Sequence, residues 1–95
     1  MHIERMRIIW DPEKAIANFL KHGVRFSDAE SVLFDPMALT REDAANDTEQ
    51  RFVSIGTDVL DRAVVVVYTY RGDDNRLISA RRATPREKKS YEEGI

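Results

Sequence analysis

Apolar positions along the 95-residue chain change their spacing several times, and each change marks an element. Residues 7–10 (RIIW) form a short apolar run that reads as a strand. Asp11 and Pro12 then open a helix, with Asp11 as N-cap and Pro12 at the first helical position. The helix extends to about His22 and stops at Gly23, a favourable C-terminal cap residue. Ile16, Phe19 and Leu20, with Ala15, supply its apolar face. Lys14, Asn18, Lys21 and His22 recur at helical spacing and share another face. A second helix is expected from Phe26 and Ser27, with a capping box between Ser27 and Glu30. Its apolar stripe is Ala29, Val32 and Leu33, and Asp35-Pro36 ends it. With Gly23 as a tight link, the two helices read as a helical hairpin.

From Met37 the period shifts towards two. Residues 37–41 are an expected edge strand, and residues 42–49, acidic and without periodicity, an expected loop. Residues 51–56 alternate, residues 56–61 form a turn, and residues 63–70 are the strongest strand signal in the chain. Four consecutive valines, Val64 to Val67, place β-branched side chains on both faces and imply a central strand. Residues 71–75 (RGDDN) read as a hairpin loop, followed by a strand from Arg76 to about Arg82. The last helix starts at Pro85, with Thr84 as N-cap and Glu87 completing a capping box. Hairpin links make the sheet mostly antiparallel, and segregated helices make the fold class α+β in one domain spanning residues 1–95.

Composition narrows the chemistry. There is no cysteine, and His2 and His22 are the only histidines, so neither a disulfide framework nor a thiolate or histidine-rich metal site is expected, and no cofactor is implied. The longest apolar run, residues 63–67, is too short to span a membrane, and MHIERMR lacks the apolar core of a signal peptide. A cytoplasmic protein is therefore expected. Met6 is a candidate alternative start, because residues 1–5 add no pattern.

The net charge of −2 conceals an uneven distribution. Residues 25–61 carry nine acids against three bases, whereas residues 81–91 carry Arg81, Arg82, Arg86, Lys88 and Lys89 against Glu87 alone. Arg81 and Arg82 are delivered by a strand to a helix N-terminus, where paired cations and backbone N–H groups suit a phosphate. Strict alternation puts Leu77, Ser79 and Arg81 on one face and Arg76, Ile78, Ala80 and Arg82 on the other. A twist at the strand end could bring both arginines to one site; otherwise one of them serves a partner or the acidic segment.

The segments WDPEKAIANFLKHGVRFSDA (residues 10–29), EQRFVSIG (49–56), VVVVYTYRG (64–72), RLISARRAT (76–84) and YEEG (91–94) together resemble the BrnT toxins of type II toxin–antitoxin systems. The chain departs from that pattern at Arg25, at Tyr70 and in the turn of residues 57–62, which lacks a glycine. The resemblance implies a RelE-like fold with two N-terminal helices and one C-terminal helix. It also implies a ribonuclease that arrests translation and is neutralised by a BrnA-like antitoxin in a hetero-oligomer. DNA would be met only indirectly, through the antitoxin.

Metal-free RNA cleavage uses the ribose 2′-OH as nucleophile and needs a stabiliser for the dianionic phosphorane. Arg81 and Arg82 are the candidates, because a planar guanidinium offers paired donors to phosphate oxygens. His22 is a candidate proton acid or base and Lys21 a candidate for neutralising phosphate. Tyr91 could stack a base, donate a proton or simply pack. Glu87 is committed to its capping box and Asp11 to its cap. Arg76, Arg86 and Ser79 are candidate substrate contacts. The competing expectation is a non-catalytic RNA- or protein-binding module built on the same basic corner.

Overall fold

The computed structural model describes residues 7–43 and 49–95. Met6 and the residues before it lie outside the described residues, as do residues 44–48 of the expected acidic loop. The elements run β1 (Arg7–Ile9), α1 (Pro12–His22), α2 (Phe26–Ala29), a 3-10 helix (Glu30–Phe34), β2 (Leu39–Asp43), β3 (Arg51–Thr57), β4 (Ala63–Arg71), β5 (Asp74–Arg82) and α3 (Pro85–Glu93). The five strands form one sheet in the order β1-β5-β4-β3-β2. β2 to β5 pair antiparallel and β1 pairs parallel to β5, so the α+β sheet is mixed.

One side of the sheet carries the main core. Val64, Val66 and Tyr68 of β4 and Leu77 and Ala80 of β5 bury against Val24, Phe26, Ala29 and Val32. α1 and α2 therefore cover that side, and Trp10 meets Phe26 edge to face with ring centroids 6.0 Å apart. The close approach of the 3-10 helix to β3 requires Gly56, where an added Cβ would lie 3.0 Å from Val32 Cγ1 and 3.1 Å from Asp35 Oδ2. In the β3–β4 turn the glycine absent from the sequence is replaced by Asp61, which itself adopts a positive φ of 62°. Buried Asp58 organises that turn by accepting from Leu60 N, Arg62 N and Arg62 Nε.

Several expectations are corrected. The apolar face assigned to α1 is not buried: Ile16, Phe19 and Leu20 are 64%, 40% and 80% exposed. Asn18, assigned to the polar stripe, is instead the buried residue of the helix. Its carboxamide bonds Ala80 N, Ala80 O and Val24 O, which turns that side of α1 onto β5. α2 starts at Phe26 with Arg25 at the N-cap and no side-chain cap, so the Ser27–Glu30 box does not form. β2 lies two residues later than expected. The β4–β5 loop shrinks to Gly72 and Asp73, with Gly72 at φ 60°.

The consequential correction lies within β5. Val67 pairs with Ser79, but Tyr68 pairs with Leu77, so Ile78 is an extra residue in a β-bulge. The bulge reverses the alternation beyond it. Leu77 shares the α1-covered side with Ala80 and Arg82, while Arg76 shares the opposite side with Ser79 and Arg81.

Candidate functional site

α3 lies against the second side of the sheet. β5 presents Arg76, Ser79 and Arg81 there, beside Val65, Val67 and Thr69 of β4 and Arg51, Val53, Ile55 and Thr57 of β3. β2 adds Leu39 and Arg41. Of the expected contacts, Ser79 shares this surface with Arg81 by simple alternation, and the bulge brings Arg76 to join them.

At the strand–helix junction, Arg81 binds Glu87 at two points. Nη1 donates to Oε1 at 2.8 Å and Nη2 to Oε2 at 2.9 Å. Glu87 Oε1 also accepts Thr84 N at 2.8 Å, and Thr84 Oγ1 accepts Glu87 N at 3.2 Å. The capping box therefore forms as expected, but the Thr84 N–H and the Arg81 fork meet the chain's own carboxylate, and the Glu87 N–H meets the Thr84 hydroxyl. The Arg81 hydrogen bonds chiefly hold the Glu87 carboxyl at about 2, well below its ordinary range, and the same contact raises the Arg81 pKa. Arg82 is exposed, and no ion pair engages it among the described residues.

The other end of α3 is fixed by Tyr91. Its hydroxyl donates to Asp35 Oδ2 and lies 2.8 Å from Thr57 Oγ1. Asp35 also accepts Thr57 N at 2.9 Å and Met37 N at 2.8 Å. The bond to Asp35 is the main cause of a raised Tyr91 pKa. Burial pushes the Asp35 carboxyl up, but the hydrogen bonds from Tyr91, Thr57 and Met37 outweigh it and leave the pKa lowered. Of the three roles open to Tyr91, the geometry favours packing: its hydroxyl ties α3 to β3 and to the segment after the 3-10 helix.

Between α3 and the sheet runs a groove of about 520 Å³. Leu39, Val53 and Ile55 supply its apolar part, and Arg41, Arg86, Glu87 and Ser90 its polar part. Arg86 was legible as a candidate; Arg41 and Ser90 were not. Arg41 shares its sheet side with Leu39 two residues away, a signal obscured by the short, polar strand that carries it.

The remaining candidates lie on the other side. Lys21 is exposed at the end of α1, and His22 is half-buried one turn after Asn18. Arg82 shares its alternation with Val64 and Ala80, on the α1 side. The sheet therefore separates Arg82, Lys21 and His22 from Arg81 and Tyr91. Among the described residues, no group of three or more His, Asp or Glu side chains is arranged to hold a metal ion. No helix among them is long and apolar enough to cross a membrane.

Residues 10–87 match a family model described as the ribonuclease toxin BrnT of type II toxin–antitoxin systems. The fold is similar to the crystal structure of the Brucella abortus ribonuclease toxin BrnT, with a TM-score of 0.63 and 28% identity over 84% of this chain and 99% of that one. Comparison with curated protein sequences finds no match.

Proposed function

Because the chain belongs to the BrnT family of ribonuclease toxins of type II toxin–antitoxin systems, we propose that it cleaves RNA at the β5–α3 junction by a metal-independent mechanism. The observation that carries this reading is the two-point grip of Arg81 on Glu87 beside an open, arginine-lined groove. A guanidinium that binds a carboxylate through both Nη atoms is already shaped for two oxygens of a phosphate.

In this mechanism Glu87 yields the Arg81 fork to the scissile phosphate, and Arg81 stabilises the phosphorane as the 2′-oxygen attacks and the 5′-oxygen leaves. Arg81 and Arg82 are consecutive and point to opposite sides at the end of a strand. An RNA lying across that end meets Arg81 from one side and Arg82, Lys21 and His22 from the other. His22 takes the proton from the attacking 2′-hydroxyl and a proton is returned from it to the leaving 5′-oxygen, Lys21 neutralises charge, and Tyr91 keeps α3 in place. Ser79, Arg76 and Arg86 contact the strand along the α3 side.

We further read the fold as RelE-like, the outcome in the cell as arrest of translation in the cytoplasm, and the partner as a BrnA-like antitoxin that contacts DNA on the toxin's behalf. Single and double Arg81→Ala and Arg82→Ala variants test the site. Each single variant is expected to slow cleavage of single-stranded RNA about 10²–10³-fold, and the double variant to lose growth arrest while its thermal melt stays cooperative. Retained toxicity in the folded double variant would discard the assignment.

A second reading, a non-catalytic binding module, is favoured by one observation: Glu87 already saturates the Arg81 fork. Salt-sensitive RNA binding by the purified protein without any cleavage product would support it.

A further inference from the structure

At the far end of the α3-side surface, Arg51, Thr69 and Arg76 sit side by side on β3, β4 and β5. Neighbouring strands are about 4.8 Å apart, so the two arginine Cα atoms are roughly 10 Å apart. Their guanidinium groups nevertheless converge on one carboxylate. Arg51 Nη2 lies 3.9 Å from Glu49 Oε2 and Arg76 Nη2 lies 3.8 Å from Glu49 Oε1. Both contacts are too long for hydrogen bonds. The Nε atoms of the same two arginines are buried and, among the described residues, have no hydrogen-bond partner. A buried donor without an acceptor is penalised, and such groups are rare in folded proteins. The adjoining backbone is held, because Thr69 Oγ1 donates to Gln50 O at 2.6 Å.

We propose that Arg51 and Arg76 form a clamp for one backbone phosphate of a single-stranded RNA, at the position where the Glu49 carboxylate now lies between them. A phosphodiester has two non-bridging oxygens, and each can accept from the Nη2 and Nε of one arginine. That arrangement uses the two orphaned donors together with the two Nη2 groups, which a distant planar carboxylate does not. Five residues of strand separate Arg76 from Arg81, about 16 Å along β5. One phosphate cannot reach both, so this clamp is a subsite distinct from the proposed point of cleavage. The assignment to an RNA strand rests on the ribonuclease reading above; the anion chemistry does not.

The test is fluorescence anisotropy of a labelled single-stranded RNA carrying 2′-O-methyl riboses, which removes the nucleophile, titrated with the full chain over a range of salt. The Arg51→Gln, Arg76→Gln double variant should bind at least tenfold more weakly. Its slope of log affinity against log salt should fall by about 0.7, the value of one phosphate contact on a single strand. Glu49→Gln should tighten binding, because a competing carboxylate is removed. Unchanged affinity and slope in the double variant overturn the clamp. If that variant melts early, the Arg51→Lys, Arg76→Lys pair decides, since it keeps both charges but loses both Nε donors: unchanged affinity there overturns the clamp as well. Inorganic phosphate that occupies the clamp while the wild-type chain fails to bind RNA overturns the assignment to a strand. Cleavage of unmodified RNA, followed in parallel, separates the two proposals. Intact cleavage with arginine-independent binding sinks the clamp alone, and arginine-dependent binding without cleavage sinks the ribonuclease alone.

Discussion

Asn18 acts as a fragment of a strand supplied by a helix. β1 pairs with β5 only from Asp74 to Arg76, so β1 does not reach Ala80. The Asn18 carboxamide accepts from Ala80 N at 3.0 Å and donates to Ala80 O at 2.9 Å, as a peptide group on a neighbouring strand would. It donates also to Val24 O at 3.0 Å, tying in the chain after Gly23. Asn18→Leu keeps similar volume but leaves these buried backbone groups without partners. A loss of roughly 2–4 kcal/mol is expected, measured as a lower urea midpoint with an unchanged m-value. This role was not legible beforehand. A helical wheel sorts residues by polarity, and Asn18 falls with Lys14 and Lys21. What buries it is a pair of backbone groups on a strand 62 residues away. The same rotation explains why Ile16, Phe19 and Leu20, correctly recognised as one stripe, remain largely exposed.

At the scale of elements, α3 is the helix held by polar contacts rather than by a core, for none of its residues is buried. Its attachment to β5 through Glu87 makes stability depend on pH. Glu87 has a folded pKa of about 2 against an ordinary 4.5. Its contribution is therefore complete above pH 4.5 and is lost as the pH falls towards 2. Both partners are partly exposed, at 41% and 29% of their side-chain surface, so the contribution is discounted to about 1 kcal/mol. Removing the pair by Arg81→Ala should lower Tm at neutral pH by about 4–8 °C, and the difference from wild type should shrink in acid. Thermal melts at several pH values check this. The start of α3 was legible because Thr84, Pro85 and Glu87 are local signals that need no tertiary partner. The bulge at Ile78 was not, since no glycine or proline marks it and only pairing with β4 reveals it. Strict alternation therefore grouped Arg81 with Leu77 instead of with Arg76. The expected separation of Arg81 from Arg82 survived, because both lie beyond the bulge.

For the whole molecule, the two sides of the sheet divide the labour. The α1 side holds the main core, and the α3 side carries Arg41, Arg51, Arg76, Arg81 and Arg86 on a chain whose net charge is −2. An antitoxin that neutralises this surface should travel with the toxin. Co-expression with the adjacent open reading frame is expected to give one complex on size-exclusion chromatography, and separate elution of the two components would count against the pairing. The sheet order has a consequence for how the cell makes such a protein. The first strand lies against the last, and that last strand brings Leu77 and Ala80 to the core as well as Arg76 and Arg81 to the surface. A nascent chain that has not yet emerged from the ribosome beyond residue 82 can neither close its interior nor assemble the cationic row.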